Sequence, residues 1–170
     1  AAYKTDGKLP ELKYGQASNI NMNIALMIES NAFLYQLTGD KSYGEKAIKV
    51  ARNYMESCMI DKANATSTGR TIMQAVWSTA LCYDWCYDLL REEDKKHIAC
   101  GGTSKICKFT LYPSFPPTGG GVMIGNMCGN IFLTAWASMG IALYDEYPDY
   151  YDVIENIIID TLVPSQNFML

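Results

Sequence analysis

The chain has 170 residues, of which 49% are hydrophobic and 19% are charged, and its formal net charge is -4. This composition is typical of a folded globular domain, and a chain of this length can bury about 70% of the surface that it exposes when unfolded. The acidic balance argues against a nucleic-acid partner, because binding to phosphates requires a basic surface. The longest apolar stretch, residues 131–144, is shorter than the roughly 20 residues of a membrane span, so we expect a buried helix there.

The first two predicted helices follow from apolar residues that recur with the period of an α-helix. One covers residues 19–37 and is ended by Gly39. Asp40 can cap the second, at residues 41–58, which has one apolar side and one side rich in lysine and glutamate. We therefore expect the second helix to keep a solvated face.

The third helix, predicted at residues 71–90 with Thr71 in a capping box, is apolar around most of its circumference and is expected to be covered. The fourth, at residues 92–109, has three acidic residues in its first turn, which suit the positive end of the helix dipole. Lys95 and Lys96 follow them and are expected to point into solvent. Two consecutive glycines in the middle weaken the prediction of a regular helix.

A long loop is predicted at residues 111–127, where three prolines and three consecutive glycines exclude a regular helix or a central strand. Long loops of this kind are often functional. A fifth helix at residues 130–144 is again apolar on nearly every side, and a sixth at residues 149–162 follows Pro148. The six helices predict an all-α fold of three consecutive antiparallel α-hairpins in a single domain, with odd helices inside and even helices outside.

Three segments of this helical chain resemble the toroid domain of heparinase II/III-like polysaccharide lyases. They are LTGDKSYGEKA at residues 37–47, YDWCYDLL at residues 83–90 and ALYDEYP at residues 142–148. The resemblance implies an incomplete (α/α) toroid of about a dozen helices, of which this chain holds about half. Residues 162–170 resemble the stretch that precedes the loop with the catalytic tyrosine in that family, so the resemblance also implies that the chain is a fragment.

The resemblance implies β-elimination on uronate-containing polysaccharides by a secreted or periplasmic protein, although the first residues predict no signal peptide within this chain. In that reaction, donors neutralise the uronate carboxylate while a tyrosine or histidine removes the neighbouring proton. Many relatives have a histidine and an acidic residue after the long loop. Cys128 and Ile131 stand at those positions here, so neither role transfers and the catalytic residues are not assigned.

Five residues are candidates for binding a sugar. Asn126 and Asn130 can donate to a carboxylate or a hydroxyl, although an Asn beside a Gly is also typical of a turn or a cap. Arg70, just before the predicted third helix, is suited to an anionic sugar, with a solvated or capping role as the alternative. Trp77 and Trp136 can stack on sugar rings, with a place in the core as the alternative.

The sequence predicts no metal site and no cofactor. None of its six cysteines has the spacing of a zinc knuckle, and Cys82 and Cys86, one helical turn apart, are expected to be buried thiols, with disulfides left open by the even count. His97, the only histidine, is expected at the surface, which argues against a Ser-His-Asp or Cys-His system.

Three functions remain open at the level of the sequence. The chain is expected to be an inactive segment of a polysaccharide lyase with an acidic polysaccharide as its partner. It would then contact the remainder of the parent chain, or a second copy, through the open edges of the half toroid. The alternatives are a non-catalytic α-hairpin module that binds sugars or proteins, and a glycoside hydrolase on the same toroid.

Overall fold

A computed structural model of the chain describes residues 22–56, 65–103 and 127–164. Within these ranges the protein is all-α, as predicted, with helices and turns and no strand. The α-helices are α1 (Met22–Thr38), α2 (Lys41–Glu56), α3 (Ala65–Trp85), α4 (Glu92–Lys96), α5 (Met127–Ala142) and α6 (Pro148–Ile157). A 3-10 turn follows α3 at Tyr87–Leu89, and π-helical turns follow α4 at His97–Thr103 and α6 at Ile158–Leu162.

The junction between α1 and α2 forms as the sequence predicts. Gly39 adopts a φ of 71°, in the left-handed region that glycine enters without strain, and its N–H donates to the carbonyl of Tyr35 at 2.8 Å. Asp40 then caps α2, because its Oδ1 accepts a hydrogen bond from the N–H of Ser42 at 3.0 Å. Gly39 therefore ends α1, and Asp40, the next residue, begins α2.

The bounds of α3 and α4 differ from the predicted ones. α3 begins at Ala65, six residues before Thr71, so the predicted capping role of Thr71 is wrong. The polar residues that open α3 lack an apolar period, which is why the pattern missed them. Regular α4 ends at Lys96 and continues as a π-helical turn that includes the two glycines. The rest of the predicted fourth helix, residues 104–109, and the predicted loop up to residue 126 lie outside the described residues.

Helix α3 is the central element of the described part of the chain. It contacts α1, α2 and α5, while α2 also contacts α1 and the turn His97–Thr103, and α6 contacts α5. We refer to α1, α3 and α5 as the layer helices. Their buried side chains form one apolar cluster with those of the other helices, and its largest fully buried members include Tyr54, Tyr83, Met139 and Leu143.

None of the helices in the described ranges is both long and apolar enough to cross a membrane.

A close approach between α2 and the turn after α3 generates a test of this packing. A Cβ atom built on Gly44 overlaps Cδ1 of Leu89 and lies 3.1 Å from Cγ of Tyr35. The Tyr35 ring is held in place, because its hydroxyl donates to Oδ2 of Asp88 at 2.6 Å. We therefore expect Gly44→Val to lower the free energy of unfolding by about 2 kcal/mol through overpacking.

The matched control is Lys46→Val, which introduces the same side chain at an exposed position of the same helix. Urea titrations followed by circular dichroism should give a change of less than about 1 kcal/mol for the control. Equal losses in the two variants would contradict overpacking against Leu89 as the cause.

Candidate functional site

The layer helices keep one side open to solvent. On each of them, one or more exposed apolar side chains lie beside the buried side chains that join the core. We call this open side the layer face. The exposed large apolar residues of the layer helices are Leu26, Phe33, Leu34 and Leu37 from α1, Trp77 from α3, and Leu133 and Ile141 from α5. The third and fifth helices were predicted to be covered, and the exposed side chains of Trp77, Leu133 and Ile141 are exceptions to that prediction.

Aromatic rings mark the part of the layer face where α1 meets α3. Trp77 is 37% exposed and Phe33 is 50% exposed. Phe33 also contacts the partly buried Trp85, with ring centroids 5.9 Å apart and an angle of 50° between the planes. Exposed rings held by a helical scaffold are suited to contact a flat, partly apolar ligand such as a sugar ring.

A polar cluster crosses from α1 to α3 beside these rings. The Oε1 atom of Glu29 accepts hydrogen bonds from Oγ of Ser78 at 2.6 Å and from Nε2 of Gln74 at 3.1 Å. Ser78 is fully buried, whereas Glu29 and Gln74 are partly exposed. The Glu29 carboxylate is therefore fixed in orientation at the edge of the layer face. Sequence patterns did not indicate this cluster, because its partners are more than forty residues apart.

A groove lies between α2, the start of α4 and the turn that follows α3. This groove has a volume of about 600 Å³. Its walls carry charges of both signs and its floor includes two apolar side chains; the lining residues are Glu45, Ile48, Lys49, Arg52, Asn53, Glu56, Leu89, Arg91 and Asp94.

The charged side chains of Arg52, Arg91 and Asp94 in this groove are paired with one another. The buried carboxylate of Asp94 accepts hydrogen bonds from Nε of Arg91 at 2.8 Å and from Nη1 of Arg52 at 3.0 Å. The hydrogen bonds from Arg91 lower the pKa of Asp94 below 3.8, burial opposes them, and the hydrogen bond from Arg52 lowers the pKa further. Arg52 also contacts Glu93 and Glu56. These ion pairs therefore hold α2 and α4 together.

Lys95 departs from its predicted position in solvent, whereas Lys96 is exposed as predicted. Lys95 is only 8% exposed, because its Nζ donates to Oε1 of Glu146 at 2.9 Å and to the hydroxyl of Tyr87 at 3.2 Å. The pKa of the Lys95 ammonium group is raised by these two hydrogen bonds, first that to Glu146. Nearby, burial raises the pKa of Tyr83, whose hydroxyl has no hydrogen-bond partner. This cluster joins α4 to the turns that follow α3 and α5.

The tryptophans among the predicted site residues separate into different environments. Trp77 lies on the layer face, as its sugar-binding interpretation requires. Trp136 is 2% exposed and has no hydrogen-bond partner at Nε1, so it takes the core position that was its alternative. Because its ring offers no surface to a sugar, we do not carry Trp136 into the proposed site.

Of the other three predicted site residues, Arg70 and Asn130 are placed by the backbone alone. Arg70 lies in the second turn of α3, seven residues before Trp77. Arg70 therefore lies within α3, and its predicted position just before the third helix is wrong. Asn130 lies in the first turn of α5. Asn126 lies outside the described residues.

Cys82, Cys86 and His97 occupy the predicted kinds of position. Cys82 and Cys86 are buried free thiols. The half-exposed side chain of His97 contacts Glu56 through Nδ1 and lies 3.7 Å from Oε1 of Glu93 through Nε2. No group of three or more histidine, cysteine or acidic side chains in the described ranges is arranged to hold a metal ion.

A comparison of the chain with protein-family models finds no match, and a comparison with curated proteins finds none either.

The ion pairs of Asp94 generate a prediction about pH. Its folded-state pKa is lowered, so the stability that it contributes is present above pH 3.8 and is lost as the pH falls through the folded-state value. We expect Asp94→Asn to lower the free energy of unfolding by about 2–3 kcal/mol at pH 7, since Arg52 and Arg91 lose a charged acceptor. The difference from the unmodified chain should shrink as the pH falls below about 4.

Denaturant titrations at each pH measure this difference. Asp152→Asn is the control, because it makes the same change at an exposed position of α6. Parallel pH profiles for Asp94→Asn and the unmodified chain would contradict the assignment of this ion-pair network.

Proposed function

We propose that the chain is about half of an incomplete (α/α) toroid from a polysaccharide lyase-like protein of the periplasm or the extracellular space. In this proposal the layer face binds a uronate-containing polysaccharide, and the parent chain cleaves that polymer by β-elimination. The single observation that carries the proposal is the exposure of Trp77 on the open side of α3.

The order of helix contacts supports the toroid. α1, α3 and α5 are neighbours although each is separated from the next by another helix, and α2 contacts the turn that follows α4. An (α/α) toroid has this alternation, because its inner helices contact each other around a ring and its outer helices cover them. Three hairpins form only part of such a ring, so both of its ends stay open. In this proposal α1 and α5 lie at the two ends and contact further helices of the parent chain.

The aromatic content of the layer face supports binding of a sugar. A pyranose ring has apolar faces that stack on an aromatic ring, while its hydroxyls need polar partners at the edges. Trp77 and Phe33 supply exposed aromatic surface, and the Glu29 cluster supplies a polar edge. The layer face therefore combines both requirements within the contact between α1 and α3.

The chemical step of the proposal needs groups beyond these. β-elimination requires a donor that neutralises the uronate carboxylate, and a tyrosine used as the base needs a setting that lowers its pKa of about 10. Two tyrosines have raised pKa values instead. The hydrogen bond to Asp88 raises the pKa of Tyr35 to about 12, and burial raises the pKa of Tyr147. We therefore assign the base to no tyrosine among these and expect it elsewhere in the parent chain.

Removal of the Trp77 ring tests the binding part of the proposal. We expect Trp77→Ala to weaken binding of a uronate-containing polysaccharide about three- to tenfold, because an aromatic contact contributes about 0.5–1.5 kcal/mol. Isothermal titration calorimetry with the purified chain measures the change. Ile159→Ala removes an apolar side chain beyond α6 that is more exposed than Trp77, and it should leave binding unchanged. Equal effects of the two substitutions would contradict a sugar contact at Trp77.

The reaction of the parent chain tests the catalytic part. We expect the full-length protein to release products with a new ultraviolet absorbance, because β-elimination leaves a double bond conjugated with the uronate carboxylate. A panel of uronic-acid polysaccharides, followed by absorbance and by a reducing-end assay, gives the result. New reducing ends without absorbance would indicate the glycoside hydrolase alternative, and binding without either signal would indicate the non-catalytic module.

A further inference from the structure

We propose that Glu29 determines which sugar ring lies on Trp77: the ring is uncharged, and a uronate ring is excluded from this position. The inference rests on the proposed binding of a polysaccharide to the layer face. It adds a specificity-determining residue that the resemblance to polysaccharide lyases does not supply.

Hydrogen bonds place Glu29 beside Trp77. Its carboxylate is held by Gln74 and Ser78, which flank Trp77 along α3. Residues three positions apart on a helix have Cβ atoms about 5–6 Å apart, so Gln74 and Trp77 are neighbours on the helix surface. A ring stacked on Trp77 therefore has its edge next to the carboxylate of Glu29.

The orientation of Glu29 favours a ligand that donates hydrogen bonds. Both bonds from α3 reach Oε1, and neither uses Oε2, the second oxygen of the same carboxylate. An ionised carboxylate accepts hydrogen bonds but donates none, and bonds to it are stronger than those between neutral groups. Hydroxyl or amide groups on the sugar ring match this acceptor.

The charges of the layer helices oppose a uronate at the same place. The sequences of α1, α3 and α5 contain no lysine, and their charged residues are Glu29, Arg70 and Asp84. Asp84 follows Trp77 by seven residues and is exposed, so it adds negative charge on the same helix. A uronate carboxylate on Trp77 would approach Glu29 with a like charge, which is unfavourable.

Arg70 is the one cationic position in these helices, and it precedes Trp77 by two helical turns, or about 10 Å along α3. The negative ring of the polymer is therefore expected toward the start of α3 and the uncharged ring at Trp77. The layer face would thus bind the polymer in a fixed register.

Two hexasaccharides of equal length test the inference: one made only of uronate rings, and one in which uronate alternates with an uncharged sugar. With the purified chain, calorimetry should give about fivefold or tighter binding of the alternating probe, because one like-charge contact is avoided. Glu29→Gln keeps the side-chain oxygen that accepts from Ser78 and Gln74 and removes the charge. It should raise the affinity for the uronate-only probe about fivefold and reduce the preference.

Glu155→Gln is the matched control, since it makes the same change at an exposed position of the outer helix α6. It should alter both affinities by the same factor. A preference that Glu29→Gln leaves unchanged, or equal binding of the two probes by the unmodified chain, overturns the role of Glu29 while the proposed function stands. If neither probe binds the unmodified chain, the proposed function itself is wrong, and this inference with it.

A second measurement does not depend on the folding of a variant. Raising the salt concentration screens the repulsion at partly exposed Glu29, so the preference of the unmodified chain for the alternating probe should decrease between 0.05 M and 0.5 M salt. A preference that increases or stays constant with salt contradicts a like-charge origin.

Discussion

The burial of α3 is the constraint on which the rest of the structure depends. This helix contacts α1, α2 and α5, and most of its circumference is removed from water. Small side chains such as Ala75, Ala80 and Ser78, all buried, let neighbouring helices approach closely, while Tyr83 fills the space at the end of the helix. Because the neighbours occupy the other sides of α3, only a narrow strip of it reaches solvent, and that strip carries Trp77. The position of the candidate site is therefore a consequence of how the core is built.

Charge is distributed unevenly over the described structure. The groove between α2 and α4 holds the ion pairs of Arg52, Arg91 and Asp94, which are engaged in joining α2 to α4. The layer helices carry few charges and expose aromatic and aliphatic surface instead. Charged networks between helices mainly fix the geometry of an outer surface, whereas a weakly charged surface with exposed rings is suited to a ligand with apolar faces. This contrast supports the choice of the layer face, and not of the groove between α2 and α4, as the proposed binding surface.

Sequence reasoning predicted those features of the fold that depend on neighbouring residues. The end of α1 at Gly39 and the cap of α2 at Asp40 need only local geometry, and both formed as expected. The environment of Lys95 depends on Glu146, which is 51 residues away, and no helical period reports such a partner. The cluster around Glu29 was missed for the same reason. Trp77 was selected as a candidate from its residue type alone, and its exposure depends on which side of α3 the neighbouring helices leave open.

The joint between the turn after α4 and helix α6 has a consequence for how such chains are compared. The hydroxyl of Tyr150 donates to the main-chain carbonyl of Ala99 at 2.9 Å, within the widened turn that starts at His97. A main-chain acceptor is supplied by any amino acid, provided that the path of the chain is kept. Small buried residues other than alanine would therefore preserve this link. Two related chains can therefore keep this hydrogen bond with different residues at position 99. For this contact, similarity of the backbone path is a better measure of relatedness than sequence identity.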